Sequence, residues 1–143
     1  IEYMDVGESN NWGLENVLTS KEAMDIIGEN YSMSKIAVKK DSTSEKWQLD
    51  GYPLSIAFIS SISKPFCSNC NRGRLSADGR FYNCLFSDTG YDFTNYIRNK
   101  GLSLGDYFEK IWLSRNDQYS QLRFTKKIIK NKKNKVEMSY IGG

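Results

Sequence analysis

At 143 residues the chain can bury one ordinary core but falls well short of the roughly 250 residues of a complete eight-stranded β/α barrel. Its 39% apolar residues, abundant aromatics and mixed charges exclude a disordered or fibrous protein. The net charge of +3 is uneven, because Lys126, Lys127, Lys130, Lys132, Lys133 and Lys135 crowd one acid-free segment. That run is read as a solvated helix face or an approach to the terminus rather than as a nucleic-acid site.

Residues 1–6 alternate as a strand does, and 7–13, rich in Asn, Ser and Gly, read as a loop. The chain opens inside that strand on Ile1 rather than on a methionine, as a fragment would. Thr19 followed by Glu22 fits a capping box, and Ala23, Ile26 and Ile27 share one face of the short helix that follows, up to Gly28. Residues 36–39 and 47–49 are strand candidates on either side of the polar turn 41–44. Residues 54–60 form a stronger strand, with β-branched and aromatic side chains, that leads to Lys64-Pro65-Phe66-Cys67. The apolar run in this strand, Ile56 to Ile59, is the longest in the chain and far below the roughly 20 residues that cross a bilayer. No signal peptide opens the chain, so a soluble, cytoplasmic protein is expected.

Residues 74–76 and 80–86 flank Ala77-Asp78-Gly79, and Asp-Gly is the pair that a tight hairpin turn prefers. From Asp92 the apolar residues recur at helical spacing, first Phe93, Tyr96 and Ile97, then Leu104, Phe108, Ile111 and Trp112. Gly101 is the expected stop between two closing helices.

Cys67 and Cys70 form a C-x2-C pair, and Cys84 follows beyond the expected hairpin, so three thiolates can converge. Three readings stand side by side: a metal site, a redox couple with a bystander thiol, and ordinary buried cysteines. A redox couple usually sits where a strand meets a helix, whereas this pair is followed by an expected strand. The chain has no histidine, so a closed zinc site, which takes four Cys or His ligands, lacks one. A four-iron cluster on three cysteines instead leaves one iron open to a substrate atom. Arg72 and Arg74, two residues apart, share a face if the segment is extended. They suit a triphosphate beside the thiolates, or they neutralise those thiolates at the surface.

The stretch Pro65-Phe66-Cys67-Ser68-Asn69-Cys70-Asn71-Arg72-Gly73-Arg74-Leu75-Ser76-Ala77-Asp78-Gly79, continuing to Cys84-Leu85-Phe86, resembles the signature of the molybdenum cofactor biosynthesis protein A family, the GTP 3′,8-cyclases. Ile1-Glu2-Tyr3-Met4-Asp5-Val6-Gly7 looks like that family's last barrel strand, and Gly142-Gly143 like its double-glycine tail. The resemblance covers essentially the whole chain.

It implies an α+β fold: residues 1–45 as the last strand and helix of a partial (β/α)6 barrel, and 46–143 as one sheet-and-helix layer binding a cluster and GTP. It further implies that Cys67, Cys70 and Cys84 hold the family's second [4Fe-4S] cluster, whose open iron takes the guanine end of GTP. Arg72, Gly73 and Arg74 match its GTP-contacting Arg-x-Arg, Met4 a methionine that touches S-adenosylmethionine, and Gly142 and Gly143 a tail that reaches the active site. The family's first cluster sits on a C-x3-C-x2-C motif that this sequence lacks, so the chain alone is not expected to be active without an upstream half. The complete enzyme would be a lyase that generates a 5′-deoxyadenosyl radical, takes hydrogen from C3′ of GTP and lets C3′ attack C8, giving (8S)-3′,8-cyclo-7,8-dihydroguanosine 5′-triphosphate. A homodimer is left open. Two rivals remain: a non-enzymatic zinc or nucleotide-binding module, and the auxiliary-cluster portion of another radical enzyme.

Overall fold

The computed structural model describes residues 1–100, 103–123 and 136–141. It is a small α+β structure with two three-stranded antiparallel sheets and no closed barrel among the described residues. The contacts divide it into two units, one of Ile1–Met4 and Trp12–Cys70, the other of Asp5–Asn11 and Asn71–Gly143. No helix in the described residues is long and apolar enough to cross a membrane.

In the first unit, helix α1 (Ser20–Gly28) starts as its sequence directs. The Thr19 hydroxyl accepts from the Glu22 N–H while the Glu22 carboxylate accepts from the Thr19 N–H, the reciprocal bonds of a capping box. Strands β1 (Met33–Ile36), β2 (Glu45–Leu49) and β3 (Ser55–Phe58) pair in sequence order, with Met33 opposite Leu49 and Glu45 opposite Phe58. The expected strand at 36–39 thus lies three residues earlier, since pairing with β2 ends where Ile36 faces Lys46 and the polar turn begins. Gly51, at φ 81°, takes the left-handed conformation in the β2–β3 turn. The Gln48 amide donates to the Tyr52 and Leu54 carbonyls and closes that turn. Residues 45 and 46, the boundary expected from sequence, are neighbours within β2.

The expected strand at 1–6 does not form. A ladder-like bond runs from the Glu2 N–H to the Ile59 carbonyl, but the segment is irregular. The alternation holds only at the start: Ile1 is 80% exposed and Glu2 buried at 3%, but Asp5 and Val6 are consecutive and both buried, at 6% and 8%. Carboxylates are buried only when hydrogen-bonded, and Glu2 is. It accepts from the Ser20 N–H (2.7 Å), the Ile62 N–H (2.7 Å), the Ser63 N–H (2.8 Å) and the Ser63 hydroxyl (2.6 Å). One side chain therefore ties the start of α1 to the loop after β3.

In the second unit, β4 (Arg74–Leu75), β5 (Arg80–Tyr82) and β6 (Tyr91–Asp92) form the other sheet, ordered β4-β5-β6. The Asp78-Gly79 hairpin is present, with Gly79 at φ 80° and its N–H donating to the Ser76 carbonyl at 2.9 Å. Helix α2 (Phe93–Lys100) is capped by the Asp92 carboxylate, which accepts from the Asn95 N–H at 2.7 Å. Helix α3 (Leu104–Leu113) buries Ile111 against Phe81 and Phe93, with Tyr107 and Trp112 beside them. Phe81 and Phe93 stack at 5.1 Å between centroids. A further short helix, α4 (Tyr119–Leu122), has no counterpart in the sequence expectation of two closing helices. Residues 136–141 pack back on this unit: Ile141 is fully buried, Tyr140 donates to Asp78 at 2.7 Å, and Glu137 accepts from the Glu8 and Ser9 N–H groups. Gly101, the Lys126–Lys135 run, Gly142 and Gly143 lie outside the described residues.

Candidate functional site

Cys67 and Cys70 sit at the two ends of one tight 3-10 turn, closed by the Cys70 N–H donating to the Cys67 carbonyl at 3.2 Å. This is what the two-residue spacing of a C-x2-C pair produces. Both belong to the first unit, and Cys84 to the second. None of the three is joined in a disulfide, and all are partly buried. Among the described residues no three Cys, His, Asp or Glu side chains are gathered closely enough to hold a metal ion. The donor set nonetheless fits iron-sulfur or thiolate-zinc chemistry in kind, being three soft sulfur ligands without a histidine.

The hairpin expected to return the third cysteine ends at Tyr82, and Cys84 lies two residues beyond it. Cys84, Leu85, Phe86 and Ser87 make a turn closed by the Ser87 N–H donating to the Cys84 carbonyl at 3.2 Å. Asn83, Cys84, Phe86, Tyr91, Asp117 and Tyr119 are among the walls of a cleft of about 600 Å³ within the second unit. Asn83 is buried, and its Oδ1 accepts no hydrogen bond from the described residues. Sequence reasoning did not foresee this cleft, because its walls come from segments some thirty residues apart that share no motif.

One wall of the cleft is braced by a buried ion pair that sequence reasoning also missed. Arg123 Nη2 lies 2.9 Å from Asp5 Oδ1, with side-chain exposures of 3% and 9%. The Tyr119 hydroxyl donates to Asp5 Oδ2 at 2.8 Å. Burial first, and then that bond to Asp5, hold the Tyr119 phenol well above its ordinary pKa, so it remains a donor across the working range of pH. The Phe86 ring stacks on Tyr119 at 4.6 Å and 16°, and the Arg123 guanidinium stands 5.3 Å from the Phe86 centroid.

Arg74 opens β4, opposite Tyr82, and is half-buried, while Arg72 is exposed two residues earlier. Gly73 between them has a steric reason: a Cβ there would run into the Phe81 ring, which the core holds in place. Gly73→Ala is expected to cost about 1–3 kcal/mol through overpacking. It should appear as a lowered urea midpoint with an unchanged slope, and a midpoint equal to wild type would show that the ring yields freely. Met4 is half-buried at the end of the first unit's opening segment.

The family described as Molybdenum Cofactor Synthesis C matches residues 1–121. The chain is 40% identical over 147 aligned residues to a protein of Staphylococcus epidermidis named GTP 3′,8-cyclase, covering 100% of this chain and 43% of that protein. It is 38% identical to the protein of that name from Aquifex aeolicus, covering 100% of this chain and 42% of the relative. The Synechococcus sp. protein is 35% identical, at 100% and 41%. The chain thus spans about two fifths of the length of the curated relatives it matches. The C-x2-C turn, the Arg-x-Arg that opens β4 and the Cys84 turn all fall inside the matched residues, and the chain belongs to the Molybdenum Cofactor Synthesis C family.

Proposed function

We propose that this chain is the C-terminal, substrate-holding portion of a GTP 3′,8-cyclase, a lyase of molybdenum cofactor biosynthesis. The observation that carries the reading is similarity along the whole chain to proteins bearing that name. Cys67, Cys70 and Cys84 would hold a [4Fe-4S] cluster. Bound there, the cluster supplies an open iron that can accept a nitrogen or oxygen of a purine.

The chain's own residues do the rest. Arg72 and Arg74, in alternate positions on an extended segment, offer charged, bidentate donors to a triphosphate. Gly73 keeps the backbone between them slim. Met4 would face S-adenosylmethionine, and the rest of the relatives' length would supply the first cluster and the radical. Gly142 and Gly143 would be the small-residue tail that reaches the site.

The test is anaerobic iron-sulfur reconstitution of the intact native protein, read by visible absorbance, iron content and the spectral change on adding GTP. About four irons at these cysteines, lost in Cys84→Ala, with a GTP-dependent change, support the reading. A colourless protein that takes up only zinc, or a cluster blind to GTP, overturns it. Arg74→Ala is expected to weaken GTP binding by about 10- to 100-fold while leaving iron content unchanged, the loss of a hydrogen bond between charged partners. Equilibrium titration of GTP against the reconstituted protein measures it, and an unaltered affinity removes Arg74 from the site.

A further inference from the structure

We propose that Tyr119, Arg123 and Asp5 are positioning residues for the Cys84 thiol and act on it through Phe86. The proposal rests on the reading of Cys84 as a cluster ligand, but its geometry is independent of any metal.

Cys84 and Phe86 belong to one four-residue turn, closed by the Ser87 N–H on the Cys84 carbonyl. With that bond in place, the turn moves largely as one piece, and fixing Phe86 fixes where the Cys84 backbone stands. Phe86 is held on its face by Tyr119, 4.6 Å away and nearly parallel, and by the Arg123 guanidinium at 5.3 Å. Both of those side chains end on the same Asp5 carboxylate, Tyr119 Oη at 2.8 Å and Arg123 Nε at 3.0 Å. Arg123 also donates to the Ser120 hydroxyl at 3.4 Å and so ties itself to α4. Ring, phenol, guanidinium and carboxylate therefore form a chain from a buried anchor to the turn that carries the thiol.

The turn is carried by short elements. It lies between β5 and β6, each only two or three residues long, and borders the cleft rather than the aromatic core of Phe81, Phe93 and Ile111. A ligand thiolate has to be held to within a few tenths of an ångström of its metal, and a loop left to itself does not do that. Asp5 follows directly after Met4, so the chain that would face S-adenosylmethionine also carries the anchor of this brace.

A purely structural role would change the whole protein, whereas positioning changes one thiol. The experiment is native-state alkylation of the metal-free intact protein with iodoacetamide, with the rate at each cysteine read by peptide mass spectrometry. Cys67 and Cys70, in the other unit, serve as internal references. In Phe86→Leu the stacking is lost from the closed turn, so Cys84 is expected to react about tenfold faster. Cys67 and Cys70 should stay within about twofold of wild type, and Phe86→Tyr should restore the wild-type rate. Should Phe86→Leu fail to fold, Tyr119→Phe keeps the ring and loses only the tie to Asp5, and a selective rise at Cys84 is expected there too. Equal acceleration at all three cysteines, or an unchanged Cys84 rate in folded variants, overturns the proposal. Iron uptake by wild type is scored separately. Uptake with an unmoved Cys84 rate removes the brace and leaves the proposed function, whereas a selective Cys84 effect without any iron uptake removes the ligand reading and leaves the brace.

Discussion

Arg123→Met is expected to destabilise the protein by about 3–5 kcal/mol, because it leaves the Asp5 carboxylate buried without its counter-charge. The pair lies 2.9 Å apart with both side chains almost wholly out of solvent, so water cannot take over the missing cation's work. The Tyr119 hydroxyl stays on Oδ2, but a neutral donor does not compensate a buried charge. The lost guanidinium also leaves the faces of Phe86 and Tyr119, and the Ser120 hydroxyl and carbonyl lose a donor. Replacing both charges, in Asp5→Leu with Arg123→Met, should recover most of the loss, since apolar residues of similar volume often equal a buried ion pair. Urea unfolding of wild type, the two single variants and the double variant measures the coupling between them. If Arg123→Met costs less than about 1 kcal/mol, the guanidinium is dispensable and the brace on Phe86 lacks its anchor.

What the sequence made legible was local. The capping box of Thr19 and Glu22 was readable because both bonds are made within four residues. The Asp78-Gly79 hairpin was readable because the turn demands a positive φ that Gly79 supplies. The C-x2-C turn was equally so, since its spacing alone brings Cys67 and Cys70 to the two ends of one turn. The opening segment misled for a physical reason. Its residue pattern suggested a period of two, but burial follows hydrogen bonding instead: the carboxylates of Glu2 and Asp5, three positions apart, are both held inside by donors. Helix α4 is four residues long, too short to show a period. The Asp5–Arg123 pair spans 118 positions, and nothing local to either residue announces the other. The cleft beside Cys84 is walled by segments some thirty residues apart, and so it became visible only in the fold.

Glu2→Gln carries the other large expected effect, about 2–4 kcal/mol, and a pH dependence that identifies its cause. Each carboxylate oxygen of Glu2 accepts two bonds: Oε1 from the Ser20 N–H and the Ser63 hydroxyl, Oε2 from the Ile62 and Ser63 N–H groups. An amide replaces one of those oxygens by a donor, and in either orientation it confronts donors that were previously satisfied. Ser20 also opens α1, so the charge sits at the positive end of that helix and is favoured there. Burial alone would push the Glu2 carboxyl up. The Ser63 hydroxyl and the backbone N–H groups of Ser20, Ser63 and Ile62 outweigh it and leave the pKa below the ordinary value of 4.5. A carboxyl depressed in the folded state binds its proton more readily when unfolded. Its contribution is therefore complete above the unfolded value and is lost as pH falls through the lower, folded one. The stability gap between wild type and Glu2→Gln should be widest near neutral pH and should narrow progressively below about pH 4.5. Denaturant titrations of both proteins from about pH 7 down to about pH 3 read that gap directly. A gap that stays constant over the whole range would mean that the charge of Glu2 contributes nothing, and that only its shape joins α1 to the loop after β3.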